Sequence, residues 1–216
     1  MKWRLLAAAI FCASSAIAFS QPLDKNKPYG RACVGVVNSA NGDEEALRSN
    51  SAAGRGLKVV AHLDATAKCE ALVAIFAKGG RVAPGWPPQF VAVPAEKEVL
   101  LPKAPAAWKW EKGEGAIEVY VLFFAPGSKD SAEIRALVSA MQGSKSAEVA
   151  KLQTNKLLEL IGRAKVDKVA AEHAAKATTE VAGALRMVVG FEWRDSARAV
   201  NFSAERPGAL IFPAAD

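Results

Sequence analysis

Eight residues near the middle of the chain, Ile117-Glu-Val-Tyr-Val-Leu-Phe-Phe124, set the terms for everything around them. β-Branched and aromatic side chains dominate the run, Gly115 precedes it, and Pro126-Gly127 closes it. Such a short, apolar, punctuated run is a central strand, buried and paired on both edges. The residues leading into it, from Gln89, read as strand, turn and strand, then a loop rich in Pro and Lys that carries Trp108 and Trp110.

Other strands follow from alternation and turn residues. Ala32 to Val37 is a first strand after a polar, loose lead-in from Gln21 to Gly30. Asn38 to Gly56 is a surface loop, with one helical turn expected around Glu44 to Arg48. Leu57 to Leu63 and Cys69 to Phe76 form the next two strands, expected to pair as a hairpin. Lys78-Gly-Gly-Arg81 is a turn, and Val82 to Pro88 is too proline-dense for a central strand. Near the C-terminus, Arg186 to Trp193, Ala197 to Phe202 and Ala209 to Phe212 read as strands.

Between these strand groups the period changes from two to 3.6. Ile134, Leu137, Val138 and Met141 fall at i, i+3, i+4 and i+7, one face of a helix. Asp130 and Glu133 have the spacing of an N-terminal capping box, and Gly143 is placed to end the helix. A second helix starts near Ser146 and presents Val149, Leu152, Leu157, Ile161 and Ala164, with a bend or break at Gly162. The fold class is therefore α+β: an antiparallel β-sheet or sandwich, with a helical insertion of two to three helices at about residues 130–176. The insertion lies between the sixth strand and the C-terminal strands and buries its apolar face on the sheet.

The chain has 216 residues, 51% of them hydrophobic and 23% charged. Those values suit one globular domain and argue against disorder. Residues 1–18 read as a signal peptide. Lys2 and Arg4 supply the positive region, Leu5 to Ala18 the apolar region, and Ala16-Ile-Ala18 the cleavage pattern. A spanning helix needs about 20 apolar residues, which fits an uncleaved anchor less well. Phe11 is too bulky for a lipid attachment site at Cys12. The mature chain, 19–216, is then a single periplasmic or secreted domain. Its formal charge falls from +6 to +4 when Lys2 and Arg4 leave, a solubility term rather than a nucleic-acid footprint.

Export would leave Cys33 and Cys69 in an oxidising compartment, and a disulfide between them is expected, worth about 4 kcal/mol in the chain-entropy model. The alternative is two buried free thiols. Two cysteines without adjacent histidines do not complete a metal shell, so neither metal nor cofactor is expected. His62 and His173 are the only histidines, and neither stands in a pattern that marks a base. No G-x-S-x-G, H-E-x-x-H or phosphate-loop pattern occurs, and Glu44, Glu45 and Asp64 have no spacing that implies a shared site. No catalytic residue emerges. Trp86 among its prolines, with Trp108 and Trp110, is the candidate ligand surface: each either stacks on a ligand or caps one end of the sheet core. Alternation in a strand would put Trp108 and Trp110 on one face and Lys109 on the other.

Gln89-Phe90, Lys97-Glu-Val-Leu-Leu-Pro102 and the Trp108 loop leading into Ile117 to Phe123 resemble a bacterial exported domain of unknown function, found beside caspase-like peptidases and Ser/Thr kinases. The resemblance covers Leu72 to Phe124, with Gly85-Trp-Pro-Pro88 in place of that family's Phe-Pro-Asn turn. It implies an accessory or sensing role and no site residues. The expectation is an exported, non-enzymatic binding protein for a protein partner or envelope component, without nucleic acid and without stable membrane insertion. The alternatives are a carbohydrate or peptidoglycan-binding module built on the loop tryptophans, or a hydrolase whose site goes unrecognised.

Overall fold

A computed structural model describes residues 23–48, 51, 57–77, 86–103, 107–110, 115–143, 147–163 and 192–213. Residues 1–22, where the signal peptide is expected, and the segment 164–191 with His173 lie outside the described residues. Ten strands, β1 (Tyr29–Asn38), β2 (Glu44–Ala46), β3 (Leu57–Ala65), β4 (Cys69–Ala77), β5 (Gln89–Val93), β6 (Val99–Leu101), β7 (Trp108–Lys109), β8 (Ile117–Phe124), β9 (Arg198–Asn201) and β10 (Gly208–Pro213), form two antiparallel sheets.

The apolar run is β8, and it is central as its composition requires. It pairs with β4 along its length, Val73 opposite Val121, and with β10 on its other edge, Leu210 opposite Val121. With β5 outside β4, the sheet order is β10-β8-β4-β5. Period-two geometry sends Ile117, Val119, Val121 and Phe123 to one face and Leu122 and Phe124 to the other, and both sets are buried.

In the second sheet β1 pairs with β3 over its whole length. β2 and β9 share the outer edge of β1, while β6 and β7 share that of β3. Ala32, Val34, Val36, Val59, Ala61 and Leu63 face inward and meet the β8 and β4 side chains to form the inter-sheet core. Gly30 allows the sheets to close, because a Cβ there would stand 2.4 Å from the Phe123 ring.

Three sequence expectations are corrected. β3 and β4 are not a hairpin: β3 belongs to one sheet and β4 to the other, and the short link between them turns the chain across the sandwich. Ala65 and Cys69 both bury in the inter-sheet core, which forces that turn. Glu44 to Ala46 is a strand rather than a helical turn, because its backbone completes the edge of β1 at Gly35 to Val37. The lead-in is not loose where it is described, since Asn201 accepts from the Asp24 N–H and donates to the Asp24 carbonyl, both at 2.8 Å.

Helices α1 (Lys129–Gly143) and α2 (Ala147–Arg163) form the expected helical layer on the far face of the β8 sheet. Ile134, Leu137 and Val138 from α1 and Leu157, Leu160 and Ile161 from α2 bury against Leu72, Phe76, Leu122 and Phe124. Each such side chain contributes about 1.5–3 kcal/mol of burial. The N-cap is Ser128 rather than Asp130: its Oγ accepts the Ser131 N–H at 3.3 Å, and Gly127 takes the positive φ of 73° that turns the chain into the helix. Glu70 of β4 takes hydrogen bonds from Ser131 and Arg135, and Arg135 lies over the Phe90 ring, fixing where α1 sits. No described helix is long and apolar enough to cross a membrane.

Candidate functional site

The inward face of β1 and β3 is apolar, so the same alternation turns Arg31, Cys33, Gly35, His62 and Asp64 outward. Register puts Arg31 opposite Asp64 and Cys33 opposite His62. Arg31 grips Asp64 as a fork, Nε to Oδ1 at 2.7 Å and Nη2 to Oδ2 at 2.5 Å. Asp64 is 3% exposed and His62 8%, so both would be expensive to bury unpaired.

Two carboxylates converge on His62 from opposite sides. Glu44 of β2 meets Nε2 at 2.7 Å, and Glu98, just before β6, meets Nδ1 at 2.8 Å. The Glu44 carboxylate reaches this place across Gly35, where a Cβ would stand 2.3 Å from its Oε1. A 3₁₀ turn, Trp193–Ser196, then covers the cluster. The Trp193 ring stacks on His62 with centroids 5.5 Å apart and planes 16° from parallel, and Arg194 lies over Trp193. Arg194 also stands 3.9 Å from Asp64 and 4.0 Å from Glu98.

Burial pushes the Glu98 carboxyl up, but the His62 hydrogen bond, the Trp193 indole and the charges of His62 and Arg194 outweigh it and hold the group below its ordinary value. The buried Trp193 indole N–H makes no full hydrogen bond, yet its nearness favours the Glu98 carboxylate.

Chemically this is a hydrogen-bonded network in which carboxylates engage both ring nitrogens of His62. The adjacent thiol, Cys33, is pushed up to about 12 by burial and by the Glu44 charge, with Arg198 opposing, so it stays protonated and unreactive near neutrality. Among the described residues no group of three or more His, Cys, Asp or Glu is arranged to hold a metal ion.

The residues singled out in the sequence fall elsewhere. Trp86, Trp108 and Trp110 are 1%, 0% and 0% exposed and belong to the inter-sheet core. Their indole N–H groups donate to the Lys109, Pro87 and Gly115 carbonyls, so each ring caps the core and presents no face outward. Alternation does place Trp108 and Trp110 together, with Lys109 exposed.

The expected disulfide is overturned: Cys33 and Cys69 are free and buried. Cys33 lies on the outer face of its sheet while Cys69 points into the inter-sheet core, so the β1–β3 sheet stands between them.

Glu44 and Asp64, which their sequence spacing left unconnected, are brought to one cluster. Arg31, Glu98, Trp193 and Arg194 were not anticipated. The available signal was the alternation of Arg31 and Cys33, and of His62 and Asp64, with apolar neighbours, which marks an outer face but not its partners. Trp193, expected in a strand, sits in the 3₁₀ turn because the turn lays its ring on His62. Comparison with protein-family models, with curated proteins and with solved structures returned no match.

Proposed function

We propose that this protein is an exported, non-enzymatic accessory protein that recognises a protein partner or a component of the cell envelope. The observation that carries the reading is the engagement of both His62 nitrogens by Glu44 and Glu98, which turns this cluster of ionisable groups into an internal fastening. The leader sequence supports export, and the partial resemblance to an exported accessory domain points the same way. The helical layer is the surface assigned to recognition, since α2 is anchored by Leu157, Leu160 and Ile161 and α1 leaves Ala136, Ser139 and Ala140 exposed.

Photo-crosslinking residues at positions 136, 139 and 140 test this in the native envelope, with position 205 on an exposed loop as the control. The reading expects a discrete adduct with one protein or envelope polymer from the helix positions and none from the control. Absence of any adduct, or equal smears from both, would reject it. Terminal sequencing of the recovered protein should give Phe19 or a residue just after it. An intact Met1 in the cytosolic fraction would reject export.

A further inference from the structure

Histidine is the side chain whose ordinary titration falls near neutrality, and His62 holds three separate pieces of chain. Glu44 arrives on a three-residue strand, Glu98 on the lead into another three-residue strand, and Trp193 on a single 3₁₀ turn. We propose that His62 is a proton-operated latch: with both ring nitrogens protonated it fastens β2, the approach to β6 and the 3₁₀ turn to the outer face of the sheet, and loss of one proton releases the turn.

Donor counting carries the argument. A doubly protonated ring donates to both carboxylates at once, whereas a neutral ring has one N–H and one lone pair. Whichever carboxylate meets the lone pair faces acceptor against acceptor. Among the described residues, the charged and titratable groups around the ring include Arg31 and Cys33 from β1, Glu44 from β2, Asp64 from β3, Glu98 before β6, and Arg194 from the turn with Glu192 beside it. Arg31 is committed to Asp64 by two short hydrogen bonds, and the Cys33 thiol is neutral. Arg194 stands 4.0 Å from Glu98, beyond hydrogen-bond reach but near enough to compensate its charge. Glu44 relies on His62. The proton retained is therefore the one on Nε2, and the contact that opens is Nδ1 to Glu98. A neutral ring also gives up the attraction of an imidazolium for the Trp193 face. Both losses fall on the turn.

At low pH the latch is limited by protonation of Glu98, which the network holds below the usual carboxylate range.

NMR on the mature chain tests it, following the His62 ring nitrogens together with exchange of the Asp195 and Ala197 amides, which donate to the Glu192 and Arg194 carbonyls. His173→Gln assigns the ring signals. After correction for intrinsic exchange, protection of those two amides should fall about tenfold as pH rises through the His62 titration, the effect expected from losing one charge-assisted hydrogen bond, while β8 amides stay unchanged. His62→Gln should abolish the step. Glu98→Gln should abolish it too, and serves if the histidine variant does not fold. Constant protection across the titration, a ring that holds a single N–H throughout, or a step that survives in Glu98→Gln would overturn the latch.

Discussion

A methyl group on Gly35 would stand 2.3 Å from Glu44 Oε1, so Gly35→Ala separates the backbone role of this glycine from its role in the network. The carboxylate must leave His62, and urea denaturation should show a loss of about 1–3 kcal/mol, typical of overpacking a buried site. A loss within a few tenths would mean that Glu44 has another route to the ring. The two thiols make a second residue-scale prediction. Each is pushed from an ordinary 9.0 up to about 12, chiefly by burial. A group raised in the folded state contributes stability below its unfolded value and loses it as pH rises toward the folded one. Stability should therefore decline from about pH 9 toward pH 12, and the decline should flatten in the Cys33→Ala, Cys69→Ala double variant. Non-reduced mass analysis should find both thiols alkylated after unfolding.

At the scale of the elements, the helical layer holds its place through a narrow apolar seam. Leu157→Ala removes a 0% exposed side chain from between α2 and the sheet, and should cost about 2–5 kcal/mol in chemical denaturation. Leu100→Ala, on the 51% exposed side chain of β6, should change stability by less than about 0.5 kcal/mol. Equal effects would contradict the layer assignment. Much of this level was legible in the sequence. The 3.6-residue period of Ile134, Leu137 and Val138 and the apolar density of Ile117 to Phe124 each named an element and its buried face. What they did not name was partnership. Thr66, Ala67 and Lys68 make a link as short as a hairpin loop, yet Thr66 bonds back to Tyr29 at the start of β1 while Cys69 turns into the core. Alternation identifies the face of a strand, not the sheet to which it belongs.

Among the described residues, sheet, sheet and helices form three layers, and the charged network occupies the outer sheet face opposite the helices. Its residues come from positions 31, 44, 62, 64, 98 and 194, so it was illegible in sequence for a physical reason: no local spacing joins them, and only strand register and the 3₁₀ turn do. The same register explains why two cysteines that looked like a bridge lie on opposite sides of a sheet. The network should also shape the acid limb of stability. Glu98 sits below its ordinary value of 4.5, so its contribution is present above that pH and lost as pH falls through the lowered value. Glu98→Gln should flatten that limb in a series of melting temperatures against pH. The most direct test of the central claim, that this cluster fastens the fold rather than running a reaction, is a double-mutant cycle between His62→Gln and Glu44→Gln, measured by denaturation. Coupling of about 1 kcal/mol or more between the two positions is the predicted result, and additive losses with no coupling would contradict it.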